Sequence, residues 1–276
     1  MQSRGPVTTD SLREFAVDLA YESGKLIAGF FRQSDLAVEA KADSSPVTAA
    51  DRGAEELLRK LIRARFPEHG IVGEEFGTER GDAEYVWILD PIDGTISFVA
   101  GVPRFGTLIG LMHAGRPILG LIHQPITNEL LVGTSSGTTL NGRPVRVSET
   151  NSLEAATLLT TDPGLIERYK NLDRFEELRS RAGQYREWGD CYGYMLVATA
   201  RADIMVDPIM NPWDLIPLVP VIQGAGGVIT TWEGDDPVAG DSAVASTPAL
   251  HEQVLGILNG TPGRRPVQPG GSRPRT

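Results

Sequence analysis

The segment "VWILDPIDGTISF", Val86 to Phe98, runs an apolar strand directly into two aspartates separated by Pro and Ile, and then into Gly-Thr. Buried carboxylates are costly unless a positive partner sits between them. A strand that ends on Asp90, turns at Pro91 and presents Asp93 three residues later can aim both carboxylates at one point. Oxygen donors so arranged suit a hard divalent cation, and Mg²⁺ is usually held by a few carboxylates together with water and a phosphate. Gly94-Thr95 leads into "ISFVAG", a short helix by pattern. The first N–H groups of such a helix would face phosphate oxygens, and Thr95 adds a hydroxyl. The same letters also describe an ordinary turn, with Asp93-Gly94 at its tip and Asp90 capping it.

Outward from this segment the pattern is that of a mixed α/β chain. On the N-terminal side, Thr9 and Asp10 are capping residues for a helix whose apolar positions include Leu12, Phe15, Leu19, Leu26 and Phe30. A polar loop follows from Lys41, then an amphipathic helix over about Ala49 to Phe66, stopped by Pro67. "GIVGEE" reads as a short buried strand ending on Glu74, and "YVWILD" as one ending on Asp90. From Thr107 to about Val147, apolar runs broken by Gly, Pro and Asn predict an antiparallel meander, with a hairpin turn at Asn141-Gly142. The second half alternates helix and strand: "RFEELRSRAG", "GDCYGYMLVATARA", "WDLIPLVPVIQGAGG" and "PALHEQVLGILN" as helices, "DIMVDP", "VITTW" and "SAVAST" as strands. The expected organisation is a flexible N-terminus (1–8), an α+β half with the acidic segment (9–150), an α/β half (151–259) and a tail (260–276) of disordered composition.

The totals narrow the function classes. The chain has 276 residues, 41% hydrophobic and 22% charged, ordinary for a water-soluble fold. No apolar run approaches the length of a membrane span, and the first residues lack the apolar centre of a signal peptide. A lone cysteine, Cys191, rules out an internal disulfide and favours a reducing cytoplasm. A net charge of −10 argues against a general nucleic-acid binder. The tail from Gly260 holds four Arg and no acid, so the body stands at −14. A body that acidic needs metal ions to reverse its local sign if it is to handle an anionic phosphate.

"GEE" (Gly73 to Glu75), "DPIDGT" (Asp90 to Thr95), "WD" (Trp213, Asp214) and "GAGG" (Gly224 to Gly227) occur in the order and spacing of the inositol monophosphatase superfamily, which the chain resembles from about Leu12 to Asn259. The resemblance implies a layered αβαβα sandwich and a Mg²⁺-dependent phosphomonoesterase with two to three ions per site. It implies metal ligation by Glu74, Asp90, the Ile92 carbonyl, Asp93 and Asp214. It pairs Thr95 with Asp51 and, with Glu74, makes them the group that activates an attacking water, with no covalent phosphoenzyme. Neither Cys nor His is expected within the acidic group, and Glu75 is expected outside it. Lys41 matches a loop lysine near a metal, and a homodimer is implied.

Within the superfamily, "GVPRFGTLIGLMHAGRPILGLIHQP", "WGDCYGYMLVATARADIMVD" and "NPWDLIPLVPVIQGAGGVITTWEG" look most like the histidinol-phosphatase branch, although Ile96 stands where that branch often has Lys. The implied activity is hydrolysis of L-histidinol phosphate, a step of histidine synthesis. Substrate contacts are expected from Asp93, Gly94, Thr95, Gly189, Asp190, Asp207 and Asp214. The substrate carries an ammonium group, and a carboxylate at Asp190 could pair with it; Asp190 could equally cap the helix it begins. Trp188 and Tyr192 could stack on the imidazole, and Asn211 could bind substrate, whereas His113, His123 and His251 lie away from the acids. The rivals are an inositol-1-phosphatase, a bisphosphatase, a non-catalytic phosphate-binding protein and a nucleic-acid interactor using the tail arginines. All the carboxylates needed for turnover are present, which speaks against the non-catalytic reading.

Overall fold

A computed structural model of the chain describes residues 8–33, 38–40 and 46–260. Helix α1 (Thr9–Phe30) opens at Thr8, one residue before the predicted cap. The Thr8 hydroxyl accepts from the Ser11 N–H at 3.2 Å and the Ser11 hydroxyl accepts from the Thr8 N–H at 3.1 Å, so two orphan donors are satisfied reciprocally. Strands β1 (Val38–Ala40) and β2 (Pro46–Thr48) form an antiparallel pair, and β2 leads directly into α2 (Ala49–Arg65). Then come β3 (Gly70–Gly73), β4 (Gly77–Glu79), β5 (Tyr85–Asp93), α3 (Thr95–Val99), β6 (Gly106–His113), β7 (Arg116–Gln124), β8 (Glu129–Thr134), β9 (Gly137–Leu140) and β10 (Arg143–Val145). The second half contains β11 (Thr157–Leu159), α4 (Pro163–Tyr169), α5 (Leu172–Arg181), β12 (Gln184–Arg186), α6 (Asp190–Ala198), β13 (Ile204–Asp207), α7 (Pro212–Leu215), α8 (Leu218–Gly224), β14 (Val228–Thr230), β15 (Ala243–Ser246) and α9 (Pro248–Leu258).

An eight-stranded sheet has the order β10-β9-β8-β7-β6-β5-β3-β4, parallel only at the β3/β5 pair. The meander expected from Thr107 onward is β6 to β10, and Asn141 and Gly142, at φ 49° and 76°, make its last turn. A five-stranded sheet has the order β12-β11-β13-β15-β14. Consecutive residues of a strand face opposite ways, which divides the core. Ile109, Leu111 and Leu121 pack under α1 and α2 with Leu19, Leu58 and Trp87. Their neighbours Leu108 and Ile122 face the other way, onto Tyr194 of α6 and Leu218 and Val221 of α8, which in turn cover Met205 and Ala245 of the small sheet. Phe175, Leu178 and Val254 of α5 and α9 close the far side over Ile204 and Val244. The layers are therefore αβαβα. No helix among the described residues is long and apolar enough to cross a membrane.

Two predicted elements change. "WDLIPLVPVIQG" is not one helix: α7 stops at Leu215 and α8 starts at Leu218. Pro217 and Pro220 lack the N–H that a continuous ladder needs, although Pro217 keeps helical dihedrals at φ −62° and ψ −28°. Strand β5 runs past Asp90 to Asp93, and its pairing with β6 slips there. Asp90 lies opposite Leu108 and Asp93 opposite Gly106, so three steps on one strand face two on the other. Regular alternation would send residues three apart to opposite faces. The bulge resets the alternation and lets both carboxylates meet.

Candidate active site

Asp90, Asp93 and Asp214 each bring a carboxylate oxygen within 4.8 Å of the others. Asp90 comes from the bulge, and its Oδ1 accepts the Ile92 N–H at 3.0 Å. Asp214 sits in α7, where its Oδ2 accepts from Asn211 N–H at 2.8 Å and Asn211 Nδ2 at 3.2 Å. Burial drives all three carboxyls upward, Asp90 and Asp93 well above the usual range and Asp214 to about 6. Glu74, Asp93 and Asp214 push Asp90 further, and Asp190 and Asp214 push Asp93. Glu74 belongs to the same group, since its charge raises Asp90, Asp214 and Asp51 alike. Its position follows from the parallel β3/β5 pair, which sets Gly73 beside Leu89 and so Glu74 next to Asp90.

Asp51 and Thr95 join the cluster from α2 and α3. Asp51 Oδ2 accepts the Thr48 N–H at 2.8 Å and the Thr48 hydroxyl at 2.6 Å, completing the α2 cap. Its other oxygen, Oδ1, lies 3.4 Å from the Thr95 hydroxyl, which also donates to the Ile92 carbonyl at 2.9 Å. Burial raises the Asp51 carboxyl, the Thr48 bonds oppose that, and Glu74 adds to it. Gly94 turns the chain into α3 at φ 90°. A Cβ there would lie 2.9 Å from the Arg104 carbonyl and 3.0 Å from Asp190 Oδ2, so only glycine fits between them.

Asp190 therefore overhangs the Gly94-Thr95 turn. It does not cap α6: Gly189 is the N-cap, and Asp190 follows at φ 52°. The Asp190 N–H donates to Thr161 Oγ1 at 2.9 Å, and a Cβ on Gly189 would strike Thr161 at 2.2 Å. Burial pushes Asp190 up to about 6, with Arg104 acting against the rise. Asp207 is 5% exposed and both its oxygens are engaged, Oδ1 by the Thr161 N–H at 3.2 Å and Oδ2 by the Tyr194 hydroxyl at 2.9 Å. Burial pushes it up to about 7. It connects to Asp190 through Thr161.

The structure thus gathers Asp51, Glu74, Asp90, Ile92, Asp93, Gly94, Thr95, Gly189, Asp190 and Asp214, with Asp207 one residue removed. The expectation that no Cys or His enters this group fails for cysteine. The Cys191 N–H donates to Asp93 Oδ2, because the first turn of α6 points its free N–H groups at that carboxylate. Burial drives the Cys191 thiol well above its ordinary range, which disfavours the thiolate. Asn211 is committed to Asp214, the Arg186 guanidinium lies 5.9 Å from the centre of the exposed Trp188 ring, and Tyr192 packs half-buried against the core. His113 pairs with Glu84, and His251 with Ser246 and Thr230. Lys41 and the tail arginines lie outside the described residues. Sequence reasoning missed Glu55 and Arg59, buried on α2; an i,i+4 acid–base pair inside the apolar stripe of Ala54, Leu58 and Ile62 is the signal that could have found them.

A model described as Inositol monophosphatase family matches residues 8–261. The chain belongs to that family. It is 39% identical over 247 residues to a histidinol-phosphatase of Chlorobaculum parvum, covering 89% of this chain and 95% of that one. It is 42% identical over 253 residues to the chloroplastic bifunctional phosphatase IMPL2 of Arabidopsis thaliana, covering 87% and 72%. A solved inositol monophosphatase from Zymomonas mobilis superposes with a TM-score of 0.83 at 36% identity, covering 92% of this chain and all of that one. The protein is a phosphatase of this metal-dependent family.

The residues fit a divalent cation. Like-charged oxygens are crowded together, with Asp90 buried and Asp93 and Asp214 half-buried, no ion pair to these three occurs among the described residues, and an all-oxygen donor set suits Mg²⁺. A pH dependence follows. With carboxyl values near 6 folded and 3.8 unfolded, the folded state holds the extra protons, so these groups make the metal-free protein less stable as pH rises through 6. Buried His69, His123 and His251, all shifted down, act in the opposite sense, but none belongs to the Asp90, Asp93 and Asp214 cluster. The Mg²⁺-induced rise in Tm should therefore isolate the carboxylates. We expect about 5–10 °C at pH 8 with Mg²⁺ a hundredfold over its Kd, and a clearly smaller rise at pH 5, by differential scanning calorimetry. Equal rises at both values would remove these acids from metal binding.

Proposed function

We propose that the protein hydrolyses L-histidinol phosphate to L-histidinol and phosphate, with Glu74, Asp90, the Ile92 carbonyl, Asp93 and Asp214 holding two to three Mg²⁺ ions. When bound, Mg²⁺ supplies positive charge against the phosphate oxygens and lowers the pKa of water. The chain's own groups do the rest. The Thr95 hydroxyl, within reach of Asp51, can take the proton that the attacking water loses while it passes its own to that carboxylate. Glu74, whose charge is felt at Asp51, takes part on the same side. The Gly94-Thr95 turn receives the phosphate, and the lack of a Cβ at Gly94 lets the backbone approach it.

The substrate choice rests on one observation: the Asp190 carboxylate overhangs the Gly94 turn, its Oδ2 3.0 Å from where a Cβ on Gly94 would stand. An ammonium group on that alcohol would be held by a charge-assisted bond, whereas an uncharged polyol gains less from it. The histidinol-phosphatase named in Chlorobaculum parvum supports the same choice. A cytoplasmic setting and a homodimer complete the reading; the single buried Cys191 suits the former, and sedimentation tests the latter.

Phosphate release from L-histidinol phosphate and from inositol 1-phosphate, with Mg²⁺, tests the proposal. Parent enzyme should prefer the former. Asp190→Asn should raise its KM for histidinol phosphate about 10- to 100-fold, the loss of one charge-assisted bond, and leave inositol phosphate within about threefold. Equal or reversed preference in the parent would point to an inositol monophosphatase, the name carried by the Zymomonas neighbour, and overturn the substrate assignment.

A further inference from the structure

We propose that Glu55 is a positioning residue for Glu74 and sets the metal affinity of the site without touching the metal; this rests on the reading of Glu74 as a ligand. Glu55 and Arg59 form an ion pair at 2.8 Å with side chains 0% and 5% exposed. A buried ion pair is weak evidence for a stabilising role, because desolvation offsets the attraction. Its bonding points elsewhere. Glu55 Oε2 accepts the Glu75 N–H at 2.7 Å and Oε1 accepts the Phe76 N–H at 3.2 Å. On the other side of Glu74, a Cβ on Gly73 would lie 2.1 Å from Glu55 Oε1, so Gly73 leaves the space that the carboxylate fills. Arg59 donates to the Gly77 carbonyl. The pair thus bonds the backbone at residues 75, 76 and 77 and packs against it at Gly73, and Glu74 lies between.

Helix α2 makes this a coupled arrangement. Asp51 lies in its first turn and Glu55 one turn later on the same buried face. One rigid element therefore presents Asp51 to Thr95 and fixes the loop that carries Glu74. A carboxylate that accepts two backbone N–H groups cannot be copied by an amide, which offers an N–H of its own on one side. Loss of such an orienting group costs about 10- to 100-fold in metal affinity in other metal sites.

The test is Mn²⁺ binding to the intact chain by calorimetry, without substrate, for parent, Glu55→Gln and Glu74→Gln, with Tm measured alongside. The expected result is a Kd raised about 10-fold or more in Glu55→Gln. A fall in Tm with an unchanged Kd would overturn the proposal and leave the pair a structural one. If Glu55→Gln does not fold, Gly73→Ala replaces it. That variant keeps every carboxylate and pushes Glu55 away from the loop, and the same rise in Kd is expected; an unchanged Kd again overturns the proposal. Glu74→Gln separates the two levels. If it weakens binding and Glu55→Gln does not, only the positioning role fails; if it leaves Kd unchanged, the ligand reading fails and this proposal with it.

Discussion

Asp93→Asn should lower phosphate release by about a thousandfold or more, a loss near 4 kcal/mol of transition-state stabilisation, while leaving the metal-free protein at least as stable at pH 8 as the parent. Both halves of that result come from the same carboxylate. Asp93 is raised well above the ordinary range by burial, with Asp190 and Asp214 adding like charge. The metal-free fold therefore holds negative charge on this group only at a cost, and removing the charge relieves it. The amide retains an acceptor for the Cys191 N–H, so the first turn of α6 keeps its anchor. Activity falls because the cluster of Asp90, Asp93 and Asp214 loses one of its three donors. Calorimetry with and without Mg²⁺ checks the assignment. The Mg²⁺-induced rise in Tm should vanish in the variant. A rise equal to the parent's would show that Asp93 holds no cation, and a metal-free Tm well below the parent's would show that its role is structural.

The acidic segment was legible in sequence because its chemistry lies in side chains: Asp90, Asp93 and Thr95 announce themselves. The β6 to β10 meander was legible because alternating apolar residues and Gly, Pro and Asn turns are local signals. What makes Asp90 and Asp93 converge was not legible. The bulge between them is a property of pairing with Leu108 and Gly106, and register belongs to two strands rather than one. The Cys191 contact escaped for another reason, since a backbone donor leaves no trace in residue identity. The partners of Asp207, Thr161 and Tyr194, come from a loop and a helix distant in sequence, so its two engaged oxygens could not be foreseen. Glu55 in "AEELLRK" looks like any helical acid; only its spacing from Asp51 and Arg59 marks it, and that mark becomes decisive once the 73–77 loop is seen against it.

A second large effect should come from Gly120→Ala, in the middle of the large sheet. The large sheet has a glycine in register on three adjacent strands: Gly110 of β6 pairs with Gly120 of β7, which pairs with Gly133 of β8. The row leaves a bare track on the sheet, and the backbone from Pro217 to Val221 lies in it. A Cβ on Gly120 would be 1.9 Å from the Pro217 carbonyl oxygen, and one on Gly133 would be 2.4 Å from the Val221 Cα. Those contacts are with main chain, which cannot swing aside as a side chain can, and interior packing leaves little slack. The cost should reach about 3 kcal/mol, the upper part of the range for overpacking. Gly29→Ala is the matching control: its added methyl meets nothing within 4 Å near the end of α1, and helix propensity predicts no loss and a gain of up to about 1 kcal/mol. Chemical denaturation of the two variants checks the contrast. The track does more than close the middle layer, because Pro217 is three residues after Asp214 and directly follows the turn of helix that presents it. Lifting Pro217 off the sheet should therefore move Asp214 relative to Asp90 and Asp93, so folded Gly120→Ala should also bind Mn²⁺ more weakly than the parent. Loss of stability with metal affinity unchanged would show that the seam supports the fold alone and that Asp214 is fixed by its Asn211 cap.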